Sequence, residues 1–140
     1  MIREAGEADI PALVELGRRS VARGGLPCGF DAGTMEQTLR FLLDSPDGFI
    51  FVTDKVDGAV GGLAHPHPFN AAHKTGTELF WWAEGDGGRE LFDAMEARVK
   101  ALGCHSWMMI ALESMRPAAV GALYRRRGYA PVEHSYMKVL

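Results

Sequence analysis

The sequence predicts an α/β protein of the α+β kind, a mixed and mostly antiparallel sheet flanked by helices, and three observations carry that prediction. Two β-prone runs, Phe49–Thr53 and Ala59–Ala64, are separated by Asp57 and Gly58, a pair that signals a tight turn between antiparallel strands. Beyond this hairpin, strand-like and helix-like segments alternate. One of those strands, Thr75–Ala83, feeds a loop containing Gly85, Gly87 and Gly88, and the loop opens an amphipathic helix.

The elements follow in order. Ile2–Ala5 reads as a short strand. Asp9 is placed to cap a helix that tolerates Pro11 in its first turn and aligns Ile10, Leu13, Val14, Gly17 and Val21 on one face. Arg23–Gly33 is rich in glycine and reads as loop. Thr34 and Gln37 have the spacing of a capping box, and Met35, Leu39, Leu42 and Leu43 give a second helical stripe, which Ser45–Gly48 breaks. After the hairpin, Gly61 and Gly62 inside its second strand suggest a bulge or a close approach by another group. His65–His73, with two prolines, reads as a loop. Leu91, Phe92, Met95, Val99 and Leu102 mark a helix from about Gly88 to Leu102. Trp107–Leu112 is an apolar run of the kind found in buried strands. Pro117 opens a last helix carrying Val120, Leu123 and Tyr124 on one face, ended by Arg127 and Gly128. Tyr129–Leu140 reads as a final strand interrupted at Pro131. The predicted order is β-α-α-β-β-β-α-β-α-β.

At 140 residues, the whole of 1–140 is expected to form one domain with room for a core. A net charge of −3 argues against a general nucleic-acid binder, which carries a basic excess. No apolar run approaches the roughly 20 residues needed to cross a bilayer, and the first residues lack the pattern of a signal peptide. Cys28 and Cys104 stand far apart in no metal or redox spacing, as expected of free thiols in the cytoplasm.

The loop from Ala83 to Glu90 is the most informative segment. A glycine-rich loop opening a helix presents free N–H groups together with the positive end of the helix dipole, a natural site for a phosphate-bearing ligand. The competing reading is a tight strand-to-helix turn that needs glycine for its backbone angles. In the strand before it, alternation sends Trp81 and Trp82 to opposite faces, so that with Phe80 they divide between core packing and a pocket wall. His65, His67 and His73 lie on a proline-broken segment without a nearby cysteine or carboxylate, so no metal is assigned to them. An acceptor-binding loop or plain surface loop suits them better. Arg125, Arg126 and Arg127 read as a ligand-facing basic run or as a solvated helix end.

This order, with a glycine loop after the fourth strand, resembles the GNAT N-acetyltransferases along essentially the whole chain. IREAGEADIPAL is similar to that family's opening strand and helix, and LYRRRGY to its aliphatic-Tyr-x-x-x-Gly-aromatic pattern. The composition looks most like small phage and prophage members. The resemblance implies acetyl-CoA as co-substrate, no metal, and transfer to a small-molecule or peptide amine. Separately, an open edge on the final strand, Tyr129–Leu140, would suit a homodimer. The resemblance also implies Tyr124 as the acid that protonates the leaving thiolate and Glu78 as the base, with Glu113 the weaker candidate. It places the cofactor on Trp82, Ala83, Gly85, Asp86, Gly87, Gly88, Arg89 and Glu90, the arginine run reaching a further phosphate of CoA. Glu113, Glu133 and His134 near the cleft would favour a cationic acceptor. The loop departs from the family's Gln/Arg-x-x-Gly-x-Gly/Ala. It is shorter by about three or four residues, and either Gly88 takes the last position, with Asp86 in a glycine slot, or Gly85 and Gly87 are the two glycines. That departure keeps a second reading open: the same fold binding a ligand or a protein partner without catalysis.

Overall fold

A computed structural model describes residues Met1–Leu140. The elements are β1 (Ile2–Glu4), a 3-10 turn (Glu7–Asp9), α1 (Ile10–Gly24), α2 (Ala32–Asp44), β2 (Gly48–Thr53), β3 (Gly58–His67), β4 (Asn70–Ala83), α3 (Gly88–Ala101) and α4 (Pro117–Arg126). The four strands form one antiparallel sheet in the order β1-β2-β3-β4. Alternation along β2 divides the core. Ile50 and Val52 face α1 and α2, where they join Leu13, Leu16, Leu39 and Leu42, while Phe49 and Phe51 face α3 and α4, where they join Leu91, Phe92, Met95 and Tyr124. Each fully buried leucine or phenylalanine contributes about 1.5–3 kcal/mol.

Local chemistry moves two helix starts. Asp9 does not cap α1, because its carboxylate takes the Gly6 N–H at 2.8 Å and a two-pronged bond from Arg3 at 2.8 Å. α2 begins at Ala32, and Asp31 rather than Thr34 caps it by accepting from the Thr34 N–H at 2.8 Å. A charged acceptor at that position outcompetes a hydroxyl three residues later.

His65–His73 is not a loop but a hairpin arm, since β3 continues to His67 and β4 starts at Asn70. The prolines are tolerated for a geometric reason. Ala64 N–H points to the β2 side, where it meets the Asp47 carbonyl at 2.9 Å. Two residues on, the Pro66 nitrogen points the same way, past the end of β2, so its missing hydrogen costs no ladder bond.

The predicted buried strand at Trp107–Leu112 is reduced to a single parallel bridge, Thr77 to Met108. It touches β4 on one side only, which leaves Met108 and Ile110 exposed. The predicted last strand is absent: Tyr129–Leu140 forms no ladder, and Tyr136 is 94% exposed. Gly61 and Gly62 do meet a close approach. A Cβ on Gly61 would lie 2.4 Å from the Phe80 ring, and one on Gly62 2.7 Å from Trp107.

Candidate active site

The register of β4 against β3 slips by one residue between Gly61–Phe80 and Gly62–Glu78, leaving Leu79 as an extra, bulged residue. The slip decides where Glu78 points. Simple alternation would put Glu78 on the face of Phe80 and Trp82, against α1. Paired instead with Gly62, it joins the face of Phe49 and Trp107, against α3 and α4, where Tyr124 stands.

Glu78 and Tyr124 converge on one residue, Ile110, at the N–H of one peptide and the carbonyl of the next. The Glu78 carboxylate accepts the Ile110 N–H at 3.2 Å, and the Tyr124 hydroxyl donates to the carbonyl oxygen of Ile110 at 2.6 Å. Glu78 is 6% exposed. Burial pushes its carboxyl up from 4.5 to about 7, only partly offset by the Ile110 N–H. Burial, and then the charge of Glu78, push the Tyr124 hydroxyl up as well, so it stays protonated at neutral pH.

The same carboxylate marks where the sheet opens. His105 N–H reaches the Lys74 carbonyl at 2.7 Å, Met108 N–H the Gly76 carbonyl at 2.9 Å, and Glu78 N–H the Met108 carbonyl at 3.1 Å. At the next step Ile110 N–H goes to the Glu78 side chain instead of to main chain, and no backbone bond joins Leu79–Ala83 to residues 109–115. The two strands therefore diverge from Glu78 onward. α1 bridges the open end: its Gly24 carbonyl accepts from Ser114 Oγ at 2.7 Å, and its Arg19 and Arg23 grip Glu84, just past β4.

The loop 84–87 leads into α3 with Gly87 at the cap position and no side chain capping it. The N–H groups of Gly85 through Glu90 find no acceptor in the protein. Unpartnered donors of this kind, with the dipole of α3 behind them, have the chemistry to receive an anion. None of the three loop glycines has a positive φ. Close packing explains two of them instead: a Cβ on Gly85 would meet the Asp57 carboxylate at 2.4 Å, and one on Gly87 the Thr53 methyl at 2.5 Å. Asp86, Arg89 and Glu90 are exposed. Ala83 ends β4, its Cβ 3.3 Å from the point a Gly88 side chain would occupy.

Trp82 stacks on Phe80 at 4.4 Å between ring centres and packs beneath Gly17 of α1. Trp81 lies on the opposite face at 5.2 Å from Phe92 and 6.3 Å from Tyr124, its indole N–H on the Gly88 carbonyl at 3.1 Å. Arg127 is held by Asp93 and Glu96 of α3, while Arg125 and Arg126 are exposed and form no ion pair. Glu113, Glu133 and His134 are exposed.

The histidines sit at the far end of β4. His67 Nδ1 accepts the Phe69 N–H at 3.0 Å, and His105 Nδ1 accepts the Lys74 N–H at 2.9 Å, which sets both rings with the proton on Nε2. His73 Nε2 bonds Ser106 Oγ at 2.8 Å. These bonds tie the hairpin arm to residues 105–106.

Sequence reasoning did not find Arg19, Arg23 or Glu84. The Glu84 carboxylate takes Arg19 Nε and Nη2 at 2.9 Å each and Arg23 Nη1 at 2.8 Å. The bonds from the two guanidinium groups hold its carboxyl down at about 2. The i, i+4 spacing of two arginines on α1 was a visible signal, but their partner lies more than sixty residues away in sequence.

No protein-family model matches the sequence, and no curated protein is similar to it in sequence. Solved structures share its fold over nearly full length. A GCN5-related N-acetyltransferase from Ralstonia eutropha is 19% identical with a TM-score of 0.71, covering 99% of this chain and 97% of its own. A predicted acetyltransferase from Clostridium acetobutylicum, solved with acetyl-CoA, is 15% identical with a TM-score of 0.75, covering 100% and 95%. A transcriptional regulator from Bacillus halodurans is 17% identical with a TM-score of 0.74, covering 100% and 99%. The chain has the GNAT acetyltransferase fold. No helix in it is long and apolar enough to cross a membrane.

Proposed function

We propose that this chain is an acetyl-CoA-dependent N-acetyltransferase that acts by direct attack of a primary amine on the thioester. The observation that carries the reading is the bulge at Leu79, which turns a buried carboxyl group to the face of Tyr124 at the point where two strands part. A base with a pKa near 7 and a neutral phenol are the two proton carriers that this reaction needs.

In this proposal the acyl-bearing arm lies in the split, against the main chain of Trp82 and Ala83, and the diphosphate rests on the N–H groups of Gly85–Glu90. The amine nitrogen forms a bond to the acyl carbon, the carbon–sulfur bond breaks, Glu78 takes the proton from nitrogen, and Tyr124 supplies one to sulfur. For this Tyr124 turns its hydroxyl from the Ile110 carbonyl to the leaving group. Much of the rate comes from holding amine and thioester side by side.

A second reading, the same fold binding a ligand or a protein partner without catalysis, is favoured by Asp86 in the short loop, whose charge repels a diphosphate. Acetyl-CoA titration by calorimetry followed by an amine-panel assay separates them. Binding with acetyl transfer that disappears in Glu78→Gln supports the enzyme. Binding without transfer to any amine, or no heat at high micromolar concentrations, removes the enzyme and supports the second reading.

A further inference from the structure

Arg19 and Arg23 stand one turn apart on α1, and like charges at that spacing destabilise a helix unless an anion lies between them. Glu84 is that anion. Its two oxygens meet one guanidinium as a fork and the other singly, the geometry that also suits a phosphate. The cluster keeps a net charge of +1, counting Arg19 and Arg23 against Glu84, and its groups are about half exposed on the arginine side.

Its place in the fold matters more than its charge. Glu84 is the first residue after β4 and opens the loop whose N–H groups are unpartnered. That loop also carries Asp86 and Glu90, which repel an incoming anion, against the single attracting charge of Arg89. α1 lies across the mouth of the split, touching Glu84 on one side and Leu112–Met115 on the other. Its arginines therefore join Arg89, the exposed cation of that loop, at the open end, while Arg127 is engaged with α3. Arg23 is also braced from behind by Ser20, with Nη2 3.1 Å from the hydroxyl oxygen.

We propose that Arg19 and Arg23 hold the diphosphate of the bound ligand, releasing Glu84 as it enters, so that Glu84 is a resident placeholder for phosphate. The proposal rests on the acetyl-CoA reading and adds two ligand-contacting residues to it. The exchange passes two guanidinium groups from a singly charged carboxylate, which swings aside into solvent, to the doubly charged diphosphate, and no covalent bond changes.

The test is calorimetric titration of the full chain with acetyl-CoA and with S-acetylpantetheine, which lacks the diphosphate, in the wild type, Arg19→Gln/Arg23→Gln and Glu84→Gln. Loss of the charge-assisted bonds is expected to weaken acetyl-CoA about 10- to 100-fold in the double variant and to leave S-acetylpantetheine unchanged. Glu84→Gln is expected to tighten acetyl-CoA by freeing the arginines. A Glu84→Gln variant that binds more weakly, in step with the double variant, makes the cluster a structural latch and overturns the proposal. Unchanged acetyl-CoA affinity in the double variant overturns it too, while leaving the acetyltransferase reading intact. A wild type that binds neither ligand removes both.

Discussion

From Lys74 to Thr77, β4 is bonded on both sides, by β3 and by residues 105–108, whereas from Phe80 to Ala83 only β3 pairs with it. The two ends also differ in what fills them. The closed end is packed so tightly that a Cβ on Gly76 would lie 2.3 Å from the Leu63 carbonyl and 2.5 Å from the Trp107 ring. The open end holds a carboxylate, a phenol and unpartnered N–H groups. A sheet that zips completely has no room for a ligand; one that stops zipping at a buried acid has both an opening and a reactive group at its apex. The difference teaches that the proposed chemistry belongs where sheet pairing fails, next to the bulge at Leu79.

The largest effect is expected at the apex. Glu78→Gln keeps an acceptor for Ile110 N–H but loses the base, so kcat/KM for acetyl transfer is expected to fall about 10²–10⁴-fold, measured on a purified variant with an unaltered circular dichroism spectrum. A loss below tenfold would remove Glu78 from the chemistry. Tyr124→Phe removes the acid and is expected to cost about 10²-fold in kcat, with little change in KM.

The pH dependence sharpens the comparison in a direction the closed end cannot imitate. The folded protein keeps the Glu78 proton up to about pH 7, while the unfolded side chain releases it near 4.5. The folded state thus binds more protons between those values. Its contribution to stability is full below about 4.5 and is lost as pH rises through about 7, by at most ~3 kcal/mol. Glu78→Gln does not titrate. Its melting temperature relative to the wild type is expected to rise by several degrees between pH 5 and pH 8 in scanning calorimetry. A constant difference would mean that Glu78 titrates as an ordinary surface acid.

The smallest effect lies at the closed end. Gly76→Val is expected to destabilise by about 1–3 kcal/mol through overpacking, read as a shift in urea midpoint, while kcat/KM of the folded fraction stays within a factor of about three. A collapse of kcat/KM there would show that the two ends are one unit.

Much of this was legible in the sequence, for reasons that differ by element. The helices of residues 10–24, 32–44 and 88–101 announce themselves by apolar spacing, and Phe49–Thr53 by unbroken β-prone residues. Gly61 and Gly62 gave notice of an irregularity, and the register does slip there, but the extra residue belongs to β4 and nothing in its sequence marks Leu79. Without that slip, alternation places Glu78 on the wrong face, so its identity as a candidate was readable and its pairing with Tyr124 was not. Pro66 and Pro68 concealed the hairpin arm, because the harmlessness of Pro66 depends on where β2 begins. Trp107–Leu112 and Tyr129–Leu140 looked like strands from their own composition, yet strand formation needs a neighbour on at least one full side, and the neighbour is a tertiary fact. The i, i+4 pair Arg19 and Arg23 was visible, but its pairing with Glu84 was hidden for the same reason.

The most direct measurement is a crystal structure grown with acetyl-CoA. The account predicts the acyl arm between Trp82–Ala83 and residues 109–112, sulfur within hydrogen-bonding reach of the Tyr124 hydroxyl, and the diphosphate on the main chain of Gly85–Glu90. Ligand bound elsewhere, with Tyr124 still on the Ile110 carbonyl and the opened strands empty, would contradict it.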